Sequence, residues 1–400
     1  MPSALHGGRS VNSTVALIGE RSGLIGKEDR RWILPMTILV LLGGCEAPPS
    51  ATSPRSVGNP TSPEVTWGDQ AVGFEHLGRL GAFDGPGMLE ETPLDVIVDH
   101  HGRVIVTVAA PTTPAIFDTA GWYRGRLGDE GEGPGEFLWP SELEVDRQGS
   151  LLVLDGRLQR VNVFDSTLTF VGSHPWRARS GAWLLLPDGR FFTNSSNPTP
   201  TGSPSLHVVN DGQEVIAFGQ QATTSSRRSR ALAHASKGGV WAAHERHYQV
   251  DRWSFEGVLL DSITRTGEWP TEGGGSLLGN PRQPPRHSIR DIREDGEGRL
   301  WVVAWRPRDD WNQAWRDFSD RIRGGEVRGN LRPSYGDLFV TQIDVLDPET
   351  GGLVAIIEWA EIAHGFAGDS LLATLSEDEI GVVYVDLWRL SLGPVGDSAG

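Results

Sequence analysis

Glycine-centred turns recur along this chain with β-rich runs on both sides, and their spacing constrains the fold more than any single motif does. Aligned on those glycines, the chain gives units at 93–128 (PLDVIVDHHGRVIVTVAAPTTPAIFDTAGWYRGRLG), 140–172, 180–219 and 230–263. A fifth unit begins at 289–305, is interrupted, and resumes at 337–359, and a sixth, 365–392, lacks a clear fourth strand. Each unit reads as strand, Gly turn, strand, loop, strand, turn, strand. Four short antiparallel strands per repeat make the blade of a propeller. The run AVGFEHLGRL at 71–80 precedes the first unit and can supply the strand that the last one lacks. Closure by that strand removes the free edge an open array would expose. The predicted fold is all-β: a six-bladed β-propeller with four-stranded blades, the N-terminal strand closing the last blade, and one short helical insertion in blade five.

Composition agrees with many turns and bulky packing residues: 51 Gly, 26 Pro, and 15 Trp against 4 Tyr and 3 Met. The formal charge of −16 argues against nucleic acid as a partner, because a polyanion would be repelled. The single cysteine, Cys45, rules out an intramolecular disulfide. Lys27, Arg30 and Arg31 precede the apolar run WILPMTILVLLGG at 32–44, which is too short for the roughly 20 residues of a spanning helix and has the form of a secretory signal. The expected organisation is a leader over 1–45, of which 1–26 reads as upstream of the native start, then a Pro/Ser/Thr-rich tether at 46–66. The propeller follows at 67–393, with its insertion at about 305–336, and a flexible tail at 394–400.

Two local resemblances sharpen this reading. Leu42-Gly43-Gly44-Cys45 resembles the lipobox of bacterial lipoproteins, which implies lipidation of the Cys45 sulfur, cleavage before it and a membrane partner in the cell envelope. The stretch LGDEGEGPGEFLWP at 127–140, with the strand pattern that follows it, resembles NHL-repeat propellers over 128–172. No helix opens after its glycines, and its four acids would repel a phosphate, so it does not read as a phosphate loop. The resemblance implies a crossover from one blade to the next, with Asp155 and Arg160 as a structural pair.

Ligands of propellers usually meet the ring at its channel. Counting back seven residues from Gly102, Gly149 and Gly298 lands on Asp95, Glu142 and Asp291, and the same count from Gly368 gives Glu361. Carboxylates at one blade offset would ring the channel mouth and suit Ca²⁺, or each could pair with an Arg or a backbone N–H of the next blade. His287 and His364 precede inner strands, where with the carboxylates they could hold Zn²⁺ or act as general base. His100 and His101 sit in an inner turn on the opposite face. No GxSxG elbow occurs. In the interruption, Trp311, Trp315, Phe318 and Ile322 fall at helical spacing, with Arg316 and Arg321 among five arginines nearby. That stripe either packs on the propeller or forms a lid or partner-docking element. The function expected is an exported, lipid-anchored, non-catalytic binding module for a protein, peptide or glycan. The alternative is a metal-dependent, lactonase-like hydrolase or a lyase with a channel metal.

Overall fold

The computed structural model describes residues 55–57, 70–110, 112–178, 181–194, 204–219, 230–265, 269, 276–324, 332–378 and 381–394. Cys45 and the rest of the leader lie outside the described residues. Six antiparallel sheets follow one another around a ring. From channel to rim, blade 1 is Pro93–Val98, Arg103–Val108, Ala115–Asp118 and Tyr123–Arg126. The inner strands of blades 2 to 6 are Pro140–Val145, Trp183–Leu185, Arg230–His234, Ser288–Glu294 and Ile362–Gly368. Blade 6 takes its outermost strand from Gln70–Leu80, which pairs antiparallel with Val383–Pro394, so the last blade is completed by the first long strand of the chain.

The turn between the first two strands explains the sequence repeat. In blade 1 an oxygen of Asp99 accepts from the N–H groups of His101 and Arg103, with Gly102 at φ +74° between them. Asp146 does the same for Gln148 and Ser150, and Asp295 for Glu297 and Arg299, around Gly149 and Gly298. The aspartate satisfies donors that a tight turn leaves open, and glycine takes the left-handed conformation without a Cβ penalty.

Side chains alternate between the two neighbouring blades, so each buried cluster belongs to an interface and not to one sheet. On Leu300–Pro307, Leu300, Val302 and Ala304 pack with Ala243 and Ile263 of blade 4, while Trp301 and Val303 pack with Leu372 and Leu390 of blade 6. This two-sided burial is why the second strands read as continuous apolar runs. The third strands carry buried acids that sequence inspection left aside. Asp251 meets Arg230 at 3.0 Å, Asp344 meets Arg265 at 2.5 Å and the Tyr248 hydroxyl at 2.7 Å, and Asp386 meets Arg79 and His76 at 2.8 Å each.

Two segments depart from the plain repeat. Arg55–Val57, within the stretch read as a tether, runs parallel to Leu259–Arg265 as a fifth strand on the rim of blade 4. The interruption of blade 5 forms a helix, Trp311–Gly324, and a short turn of helix, Tyr335–Leu338, that Ser334 caps. Trp311 and Trp315 pack on Trp305, Leu338, Phe339 and Ile362, the Trp315 indole donates to the Leu278 carbonyl, and Phe318 is buried. The aromatic stripe is thus spent on the propeller, leaving Arg316 and Arg321 on the outer side. Among the described residues, no helix is long and apolar enough to cross a membrane.

Two outcomes follow from this architecture. Deleting 70–80 should abolish the cooperative thermal transition seen by circular dichroism, because blade 6 loses a strand and the ring its seam. Arg230→Ala should cost about 3–5 kcal/mol in urea unfolding, since it strands the buried Asp251 carboxylate.

Candidate functional site in the central channel

The upper face carries the blade-to-blade crossovers and the loops between second and third strands. The lower face carries the Asp-Gly turns. Of the crossovers, 127–140 is the most tightly held. Asp155 accepts from the N–H groups of Leu138 and Trp139, and Arg160 donates to the carbonyls of Glu132, Gly133 and Glu136. Asp155 and Arg160 are ladder neighbours, yet each grips the loop instead of the other. A side chain at Gly128, φ +63°, would collide with the Gly135 carbonyl.

The inner strands of blades 1, 2, 5 and 6 share a bulge, at Leu94, Ser141, Arg290 and His364, and blade 6 has a second at Ala367. Just after the bulge stand Asp95, Glu142, Asp291 and Gly365. Glycine, not Glu361, is therefore the blade 6 counterpart of the acids: Gly368, from which the count ran, pairs with Leu371 at the end of the inner strand and is not the turn glycine of the other blades. Glu361 instead borders a small upper-face cavity of about 190 Å³ with Tyr335, Glu377 and Thr92.

The acids have structural partners. Asp95 accepts from Val96 N–H at 2.8 Å and from Leu143 N–H of blade 2 at 2.7 Å. Asp291 accepts from Ile292 N–H at 2.8 Å and Phe366 N–H of blade 6 at 2.7 Å. In blade 2, Glu144 reaches its own Val145 N–H and Leu185 N–H of blade 3. The bonds from Leu143, Phe366 and Leu185 each tie one inner strand to the next. A Cβ at position 365 would stand 2.8 Å from the Asp291 Oδ2, so glycine leaves room for that bond.

Crowding of acids in the narrow channel shows in their protonation. Burial raises Asp95 to about 6 and Asp291 to about 7 against the pull of those N–H bonds, and Asp95's charge adds to the rise at Asp291. Glu144 is raised to about 8 by burial, and Glu142 well above its usual range by burial and by Asp95. His364, hydrogen-bonded to the Leu94 carbonyl, is lowered to about 4 by burial and by Arg290 nearby. Arg290 lies over the Trp305 ring, 4.2 Å from its centroid.

The structure thus brings Asp95, Glu142, Asp291 and His364 to one channel and separates the other two metal candidates. Glu361 is in the cavity just described. His287 stacks on Trp269 at 4.8 Å and is lowered to about 4 by burial and Arg306. Among the described residues, no three His, Cys, Asp or Glu side chains gather into a set that could hold a metal ion. In this structure Asp95 and Asp291 each direct one oxygen at a backbone N–H of their own strand and the other at one of the next blade. Glu144 and Arg290 were missed, because counting from the turn glycines names one position per inner strand and neither residue stands at it.

Below, the channel opens into a cavity of about 1140 Å³ bordered by residues of all six blades, including His100, Glu144, Arg147, His234, Glu294 and Asp369. His100 accordingly lies on the face opposite the helix, as expected. One wall is the cleft between blades 2 and 3, with Trp176 and Phe191.

The chain is a six-bladed β-propeller. The family model DUF5128, described as a 6-bladed beta-propeller, matches residues 92–197. A Bacteroides fragilis protein described as exported is similar over 85% of this chain and 100% of its own, at 12% identity and a TM-score of 0.53. A duf4221 family member from Bacteroides vulgatus is similar over 82% of this chain and 99% of its own, at 9% identity and a TM-score of 0.55. At these identities the likeness is one of fold. No curated protein matches the chain.

Gly365→Ala should push Asp291 off Phe366 N–H and lower the melting temperature, whereas Gly393→Ala, where nothing lies within 4 Å of the added carbon, should leave it nearly unchanged. A second outcome concerns pH. An acid with a raised folded pKa holds its proton longer in the folded state than in the unfolded one. Its contribution is complete below the unfolded value near 4 and is lost as pH rises through the folded value. Stability should therefore fall as pH rises through the values of Asp291 and Glu144, about 7 and about 8. Lowered His287 and His364 act oppositely, but only below their unfolded value of about 6.5. Urea titrations from about pH 6.5 to about pH 8.5 isolate the acids, and the slope should flatten in Asp291→Asn with Glu144→Gln.

Proposed function

We propose that this chain is an exported, lipid-anchored propeller that serves as a non-catalytic binding module, holding a protein, peptide or glycan on the upper face of the ring. The observation that carries the reading is the commitment of the inner-strand acids. Asp95 and Asp291 each spend one oxygen on their own strand and the other on the next blade. Carboxylates so engaged serve rigidity, whereas a general base or metal ligand needs a lone pair aimed at its target. The rest of the upper face is held in the same spirit, by the grip of Asp155 and Arg160 on the crossover and by the aromatic seat of the helix. Preorganised surfaces bind well because little freedom remains to be lost. Trp139 and Leu94, respectively 43% and 37% exposed, offer apolar contact there, and Arg316 and Arg321 offer charge. Export is supported by the basic and apolar run before Cys45 and is in keeping with the Bacteroides fragilis neighbour's description.

The test incubates the chain with solubilised envelope peptides and glycans, recovers complexes by gel filtration and compares ligand masses before and after. A retained ligand of unaltered mass is expected, with retention weakened by Leu94→Ser plus Trp139→Ala. Conversion of the ligand, or near-stoichiometric Ca or Zn in protein purified without chelator, would favour the hydrolase or lyase instead.

A further inference from the structure

We propose that Arg290 is the receptor for a carboxylate that enters the channel from the upper face. The site rests on the binding reading above and gives it a ligand chemistry. Arg290 is the bulged residue of blade 5, and its guanidinium lies over Trp305, 4.2 Å from the ring centroid. The indole is itself fixed, because its N–H donates to the Ala363 carbonyl at 2.7 Å. Among the described residues, no hydrogen bond or ion pair reaches Arg290, and its Nε is enclosed without a partner. Glu245 and Asp291 act on it only through space.

That isolation sets Arg290 apart from its peers. Arg230 meets Asp251, Arg265 meets Asp344, and Arg286 takes Glu245 at 2.8 Å, so the carboxylate nearest in charge to Arg290 is already bound by another arginine. A guanidinium has five donors in a planar fork, and withdrawing it from water without an acceptor is costly. A stacked, preorganised fork with open donors fits a planar carboxylate in two parallel bonds. Its surroundings restrict the charge of the guest. Asp291 and Glu245 already act on Arg290 through space, so a phosphate dianion meets more repulsion than a monoanion does.

The experiment uses the full chain with acetate as the probe, followed by saturation-transfer NMR, with phosphate as control. Saturable acetate binding is expected, weakened about tenfold or more in Arg290→Gln and only partly retained in Arg290→Lys, which keeps the charge and loses the fork. Should Arg290→Gln fail to fold, wild-type protein decides the matter: phenylglyoxal should modify Arg290, mapped by peptide mass spectrometry, and acetate should protect it. Equal acetate binding in a folded Arg290→Gln, an absence of protection, or phosphate binding as tight as acetate would overturn the proposal. Comparing an acetylated dipeptide with its C-terminal amide, and glucuronate with glucose, separates a peptide carboxylate from a sugar acid. If both acids bind more weakly than acetate, the channel is closed to larger carboxylates and the receptor role falls. A carboxylate held at Arg290 and then chemically converted would sink the non-catalytic reading while leaving the site standing.

Discussion

Pairing of Gln70–Leu80 with Val383–Pro394 is the seam on which the other interfaces depend. Each buried cluster is shared between consecutive blades, so no blade completes its own core, and an open ring would leave two apolar faces in water. Leu80 shows the coupling. It belongs to the closing strand, is fully buried, and packs with Val385 and Leu387 of blade 6 and with Val104 and Phe117 of blade 1. The seam joins residues some three hundred positions apart, but closure entropy grows only logarithmically, by about 0.6 kcal/mol per doubling of the loop. Burial gained at the two adjoining interfaces outweighs that, since even one Leu or Val contributes about 1.5–3 kcal/mol.

Within the closed ring, the inner strands converge on a channel too narrow to solvate many charges. Acids there serve as ties between blades, with N–H donors of the next strand replacing water. The cost of that arrangement appears as raised pKa values at Asp95, Asp291, Glu142 and Glu144. Farther out, the same problem is solved by full ion pairs, as at Asp344 with Arg265 and Tyr248, where blades 4 and 5 meet. Arg290 is a cation held against an aromatic ring with no acceptor for its side chain among the described residues. A binding function for the channel is the economical account of that asymmetry.

Much of the architecture was legible because its cause is local. An aspartate that caps two N–H groups and a glycine at positive φ must recur wherever the first hairpin recurs, so aligning glycines finds the blades. Three of the four channel positions, Asp95, Glu142 and Asp291, followed from the same count. The fourth failed because Gly368 is not a turn glycine like Gly102, Gly149 and Gly298: it pairs with Leu371 at the end of the inner strand, three residues after Gly365, so counting seven back from it overshoots to Glu361. Helical spacing of Trp311, Trp315 and Phe318 gave the helix and its apolar side, but periodicity carries no information on what that side covers. Here it covers the top of blade 5. Partners distant in sequence left no signal, as with Arg265 and Asp344, 79 residues apart. Arg290 looked like any strand arginine until Trp305 and the bulge were placed around it.

The central claim is that the inner-strand carboxylates of Asp95 and Asp291 tie the blades to one another. Native-state hydrogen exchange of the Leu143 and Phe366 amides tests it most directly, because those N–H groups are the donors to Asp95 and Asp291. The account predicts that both amides exchange as slowly as the paired amides of the closing strand, and at the same rate with or without added Ca²⁺ or Zn²⁺. Fast exchange in the absence of metal, slowed when either ion is added, would contradict it.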